Sequence, residues 1–310
     1  MSRELVGLLE TRDINVQVDR LLRDLGNPEP PLSLELVREL LRLDLKYYSA
    51  TNTTFLQDLT HRFRLGAKQV VARPGLLLDA IKKVNLSALY VPDTKRILID
   101  EDVPEAKHRW IEAHEILHGL IEWHSDFLFG DNQLTLNPVC DATIEAEANY
   151  GGGRLLFLGD RFGEESRSES LSFDNIRKHA KLYGNSIQST LWRTVEEREP
   201  DRAVFGMVSI HPNHPSIGAD EYGDAPRFIR SERFREQFGN VTADQAYALL
   251  AKHARRNKGG PVVDAQDAMV DVNGETYEFR MEGFSNTHAL LTYGICCDKR
   301  NVVISNSMIP

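Results

Sequence analysis

The sequence predicts an α+β protein in which a mainly helical first part with a small sheet precedes a mixed α/β C-terminal domain. Three observations carry this expectation. Apolar residues recur at helical spacing through most of residues 1–200. Two short strand-like runs, 88–91 and 96–100, interrupt that pattern. Beyond Glu199-Pro200-Asp201 the texture changes to strand-like runs, one of which turns on Asn273-Gly274. The expected domains are therefore 1–200 and 201–310.

Taken in order, Val16 to Leu25 is amphipathic and stops at Gly26, and Pro28, Pro30 and Pro31 break the chain. A helix follows from Leu32 to Leu43, with Ser33 suited to cap it. Ala88–Val91 and Arg96–Asp100 read as a hairpin about Pro92 and Asp93. Ala106, Trp110, Ala113, Leu117 and Leu120 place a helix over 105–121. A loop over 123–138, a helix over 141–158 and a helical pair over 173–197 complete the first part. In the second, strands are expected at 203–210, 289–297 and 302–305, a helix at 243–256 and a hairpin at 268–279.

At 310 residues, 41% hydrophobic and 27% charged, the chain can bury a core without staples. Its net charge of -9 disfavours direct binding to nucleic acid and to anionic membrane surfaces. No apolar run is long enough for a membrane span, and no signal-peptide pattern opens the sequence. The three cysteines, Cys140, Cys296 and Cys297, form neither a disulfide framework nor a CxxC pair, which points to a reducing cytoplasm.

The chemistry concentrates at His114-Glu115-Ile116-Leu117-His118, an HExxH pattern. Residues four apart share a helical face, so the two imidazoles can converge on one metal ion. Glu115, beside the first of them, is placed to take a proton from water there. A catalytic zinc needs a third protein ligand and an open position. His124 has a suitable spacing, but Ile121 stands where a turn-forming glycine would be needed; a continuing helix then aims His124 away from His118. Glu145 on the next helix is the better candidate. Asn149 shares its face and could hydrogen-bond a ligand imidazole. Glu147, about 160° round the helix from Glu145, is expected to meet solvent or the loop. Gly151, Gly152 and Gly153 lower helix stability, and close approach to the His114 helix would account for them.

His-Glu-Ile-Leu-His-Gly at 114–119, Glu145-Ala-Glu-Ala-Asn149-Tyr150 and Leu155-Leu156-Phe157 together resemble the ImmA/IrrE-type zinc metallopeptidases. That family joins an HExxH helix to an E-x-x-A-N segment and a Leu-Leu pair. The likeness extends over about residues 28–197, through the Pro-Pro-Leu-Ser run at 30–33, the strand 96–100 and Ala180 to Ser186. It implies a zincin-like metalloendopeptidase domain of gluzincin type. One Zn2+, or alternatively Mn2+, would be held by His114, His118 and Glu145, with Glu115 catalytic. It also implies a protein substrate, a helix-turn-helix transcriptional repressor whose cleavage derepresses stress-response or mobile-element genes. A GAF-like sensory domain over 201–310 is a further implication. The sequence departs from the family at Gly151–Gly153, where Phe-Ala-Ala is usual, and at Phe157-Leu158, where Met-Pro is common.

Two other expectations concern the use of these elements. The strand 96–100 could hold an extended substrate along its edge. Tyr90, His108 and Tyr150 are candidates to stabilise an oxyanion. The rival to a peptidase is a non-proteolytic, zinc-containing regulatory or DNA-binding protein: either a sensor or interaction protein with a purely structural metal, or a DNA binder that uses the pair at 173–197, where Ala180, Gly184 and Ser186 have helix-turn-helix-like spacing. A helical hairpin packed on its own domain explains the same spacing, and the acidic charge favours that explanation.

Overall fold

The computed structural model describes residues 6–49, 88–91, 94–124, 138–212, 227–256, 259–286 and 289–300. The chain is α+β and divides into two compact units, 1–161 with 182–185, and 162–181 with 186–310.

In the first unit, α1 (Leu8–Asp24) buries Ile14, Val18, Leu21 and Leu22 on one stripe. It starts eight residues before the amphipathic segment read from the sequence. Ser33 caps α2 (Leu34–Leu41), accepting from the Leu36 amide at 3.4 Å. Three strands follow: β1 (Asp44–Tyr48), β2 (Ala88–Val91) and β3 (Arg96–Asp100). The expected hairpin of β2 and β3 forms, while β1, not anticipated, pairs parallel on the other side of β3. The strand order β1-β3-β2 corrects one expectation. Because β3 is paired on both sides, it has no edge to offer a substrate; among the described residues β2 has one.

Two long helices, α3 (Glu105–Leu120) and α4 (Pro138–Leu156), carry the site. A Cβ added at Gly152 would lie 3.4 Å from the backbone nitrogen of His114, and one at Gly151 would come within 2.6 Å of a Leu117 methyl. The glycines let α4 lie directly on α3, as the sequence suggested. Arg154, almost fully buried, anchors α4 by hydrogen bonds to Asp19 at 2.8 Å and Asp160 at 2.9 Å.

The second unit comprises α5 (Arg161–Arg167), α6 (Phe173–Tyr183), α7 (Ile187–Glu197), β4 (Val204–Ser209), β5 (Arg227–Arg230), α8 (Glu232–Gln237), α9 (Ala243–His253), β6 (Gly260–Val270), β7 (Thr276–Ser285) and β8 (Leu290–Lys299); the ends of α5 and α6 reach into the first. Its sheet is antiparallel throughout, in the order β5-β4-β8-β7-β6. The hairpin at Asn273-Gly274 is present and longer than expected, with Gly274 at a φ of 79° and Asp271 accepting from the Asn273 and Glu275 amides. The strand expected at 302–305 lies outside the described residues.

Side chains alternate along β4. Val204 joins Ile176, Leu191 and Val195 of the helical pair, whereas Phe205 and Met207 join Phe234, Phe238, Ala246 and Leu250 of α8 and α9. The pair at 173–197 therefore shares its core with the sheet, and the division expected at Glu199-Pro200-Asp201 falls inside this packed unit. Thr190, Leu191, Thr194 and Val195 of α7 are buried. That face packs rather than standing free, in keeping with the hairpin explanation of the Ala180-Gly184-Ser186 spacing. Among the described residues no helix is long and apolar enough to cross a membrane.

Candidate metal centre

The helix α3 presents His114 and His118 one turn apart, and α4 brings Glu145 opposite them. His114 Nε2 stands 3.1 Å from His118 Nε2 and 3.1 Å from a Glu145 oxygen; the other Glu145 oxygen is 3.5 Å from His118 Nε2. Among the described residues this trio is the group of His, Cys, Asp and Glu whose ligand atoms cluster, all within 4.8 Å of one another.

The donor set fits a divalent cation. Ligands at about 2.0–2.1 Å from a tetrahedral centre stand roughly 3.3 Å from each other, which the observed spacings bracket. Two imidazoles facing through Nε2 can share only one proton, so a cation satisfies three converging lone pairs better than hydrogen bonding does. Burial works to raise the Glu145 carboxyl, but its hydrogen bonds with His114 and His118 outweigh that and hold it well below the ordinary carboxylate range. Burial pushes the His118 imidazole down.

Glu115 faces the same space. Burial pushes its carboxyl up to about 7, against the opposing pull of His114, while Glu145 adds to the rise and the Tyr90 backbone N–H lowers it. The cleft in front measures about 310 Å³ and is walled by Leu89, Tyr90, Trp110 and Ile111. One wall is thus β2, which among the described residues pairs on one side only.

Asn149 also lines the cleft, but its amide donates to the Glu145 carbonyl at 2.7 Å. Among the described residues no hydrogen bond of normal geometry reaches His114 Nδ1. Burial works to lower the His114 imidazole, but Glu145 and Glu115, with a smaller contribution from Asn149, hold it above its ordinary value. Of the three oxyanion candidates, only Tyr90 borders the cleft. The His108 ring engages the Val103 carbonyl at 2.7 Å, and the Tyr150 hydroxyl donates to Asn15 at 2.8 Å.

One expectation fails, and another is met in one of its two alternatives. The helix does not continue past Ile121; the chain leaves it there at ψ 106° and begins a new helical turn at Glu122, with the His124 amide donating to the Ile121 carbonyl. His124 is consequently buried behind His118, its Nδ1 3.0 Å from His118 Nδ1, and outside the ligand trio. Of the two surroundings expected for Glu147, solvent and the loop, it meets residues at the start of the latter. It is 3% exposed and accepts from Trp123 Nε1 at 2.7 Å, with His124 Nε2 3.0 Å away. The adjacent Trp123 and His124, two large side chains with N–H groups, are the signal that could have revealed this arrangement.

Fold and site together define a class: an α+β protein with a His-His-Glu cluster able to hold a metal ion beside a buried glutamate. No family model matches the sequence, and no curated protein matches it. Among solved structures, a Mycobacterium tuberculosis transcriptional regulator is 13% identical, with 96% of this chain and 93% of that one covered at a TM-score of 0.49. A likeness of that size transfers no residue role or activity.

Proposed function

We propose that the chain is a zinc-dependent endopeptidase of the ImmA/IrrE type, with His114, His118 and Glu145 as ligands and Glu115 as general base. The observation that carries this reading is the ligand trio set beside a buried carboxylate in a cleft bordered by a strand edge that is free among the described residues. A bound zinc ion would supply Lewis acidity toward the scissile carbonyl and the attacking water. Glu115 takes the proton of that water and returns it to the departing amide nitrogen. An extended peptide pairs with β2, and Leu89, Trp110 and Ile111 receive an apolar side chain next to the cleaved bond.

The family resemblance supports a helix-turn-helix repressor as substrate, with gene derepression in the cytoplasm as the outcome. On this reading the first unit is zincin-like. The second, a five-stranded antiparallel sheet with helices on both faces, is a GAF-like sensory module. The open side of the trio, where the Glu145 side chain is 41% exposed, favours a catalytic over a purely structural metal. The test is co-expression with candidate helix-turn-helix repressors, beginning with any encoded beside this gene. Cleavage by the wild type and none by Glu115→Gln supports the proposal. An intact repressor under every inducing condition, or full cleavage by Glu115→Gln, overturns it.

A further inference from the structure

We infer that His124 and Glu147 form a buried relay that positions His118, fixing which ring nitrogen carries the proton so that the other presents a lone pair to a divalent cation. This rests on the reading of the trio as a metal centre and not on proteolysis.

Donor and acceptor capacities determine each step. An indole N–H can only donate, so Glu147 Oε2 accepts from Trp123 Nε1 at 2.7 Å. The same oxygen is 3.0 Å from His124 Nε2, which therefore carries a proton and donates as well. In the neutral ring His124 Nδ1 is then an acceptor. Its partner at 3.0 Å is His118 Nδ1, which must donate. His118 is left with its lone pair on Nε2, the atom facing His114 and Glu145. The opposite assignment would put a proton on the nitrogen that the cluster needs free.

Burial gives the relay its leverage. His124 is 0%, Glu147 3% and His118 5% exposed, so bulk water does not substitute for either partner. The rings of His118 and His124 lie 5.0 Å apart at 46°, close enough for the second to limit rotation of the first. A carboxylate behind a ligand imidazole is a common way to orient it and raise its basicity. Here a second imidazole is interposed, because Glu147 points away from the trio and the turn after Ile121 carries His124 into the gap.

The test uses the full chain. In metal-free protein with ¹⁵N-labelled histidine, long-range ¹H–¹⁵N correlation is expected to show His118 protonated at Nδ1 and His124 at Nε2. Zinc affinity, measured by chelator competition, is expected to fall roughly 10- to 100-fold in His124→Phe, which keeps ring bulk but offers no acceptor. His124→Asn supplies an oxygen where Nδ1 stood and should restore most of the affinity together with the His118 tautomer. Circular dichroism identifies a misfolded variant; should His124→Phe misfold, the wild-type tautomer and the Asn variant decide. A wild-type His118 protonated at Nε2, or a folded His124→Phe with undiminished zinc affinity, overturns the relay. Wild-type protein with the expected tautomers but no zinc binding overturns the metal-centre reading and this role with it.

Discussion

The three adjacent glycines of α4 invite the same substitution with different outcomes. Alanine in a helix interior is favoured over glycine by about 1 kcal/mol when nothing obstructs its methyl group. At Gly153 the nearest atom to that methyl is the Trp110 ring at 3.6 Å, ordinary contact, so Gly153→Ala should stabilise by about 1 kcal/mol. At Gly152 the methyl would touch the His114 backbone at 3.4 Å, giving a near-neutral change. At Gly151 it would come within 2.6 and 2.9 Å of Leu117 side-chain carbons and 3.1 Å of Ile14, both fully buried. Overpacking of that kind costs about 1–3 kcal/mol, which exceeds the helix gain and leaves Gly151→Ala about 1 kcal/mol less stable. The two outer variants should thus differ by about 2 kcal/mol. Urea unfolding in a Trp192→Phe background reads this from Trp110 and Trp123, both in the first unit. If all three variants moved in one direction, close helix approach would not be the reason for the glycines.

Glu145→Gln should weaken zinc binding by roughly a hundredfold or more, since loss of a ligand exceeds the 10- to 100-fold effect of an outer partner; calorimetry checks this. Zinc at about 100 times its Kd should stabilise wild-type protein by about 2.7 kcal/mol in thermal unfolding, and EDTA should remove that increment. Arg154→Met should destabilise by about 1–2 kcal/mol in urea, a moderate effect because Asp19 and Asp160, 42% and 76% exposed, can rehydrate. Gly294 lies opposite Phe205 in the sheet, and a Cβ there would fall 2.1 Å from the ring of that fully buried residue. Gly294→Ala should therefore destabilise by about 2 kcal/mol or more, with partial recovery in the Phe205→Leu double variant.

The parts of the fold legible in the sequence are those fixed by local geometry. His114 and His118 share a face because they are four apart on α3, and Gly274 forms the β6–β7 turn because it takes a positive φ. The strand β1 is not legible because Asp44 to Tyr48 shows neither alternation nor a continuous apolar run; of its residues only Tyr48 is buried, and pairing with β3 defines the strand. The helical pair was visible, but its apolar stripe does not say which neighbour it will cover. Only tertiary packing on β4 and β8 assigns it to the second unit.

Glu147 shows most clearly where local reasoning stops. Helical geometry turns it away from Glu145 toward the segment that follows α3, but does not say that this segment buries it. The space behind His118 is filled by residues contributed after α3 ends, and Ile121 ends it without a glycine by adopting extended backbone, open to any residue. Once the chain changes direction there, Trp123 and His124 bring two nitrogens to Glu147, and a carboxylate that would be costly to bury alone becomes satisfied. The same change of direction decides the competition between His124 and Glu145. A histidine pressed against the Nδ1 side of His118 cannot also reach its Nε2 side, so it is the carboxylate of α4 that stands with His114 and His118 in the cluster able to hold a metal ion.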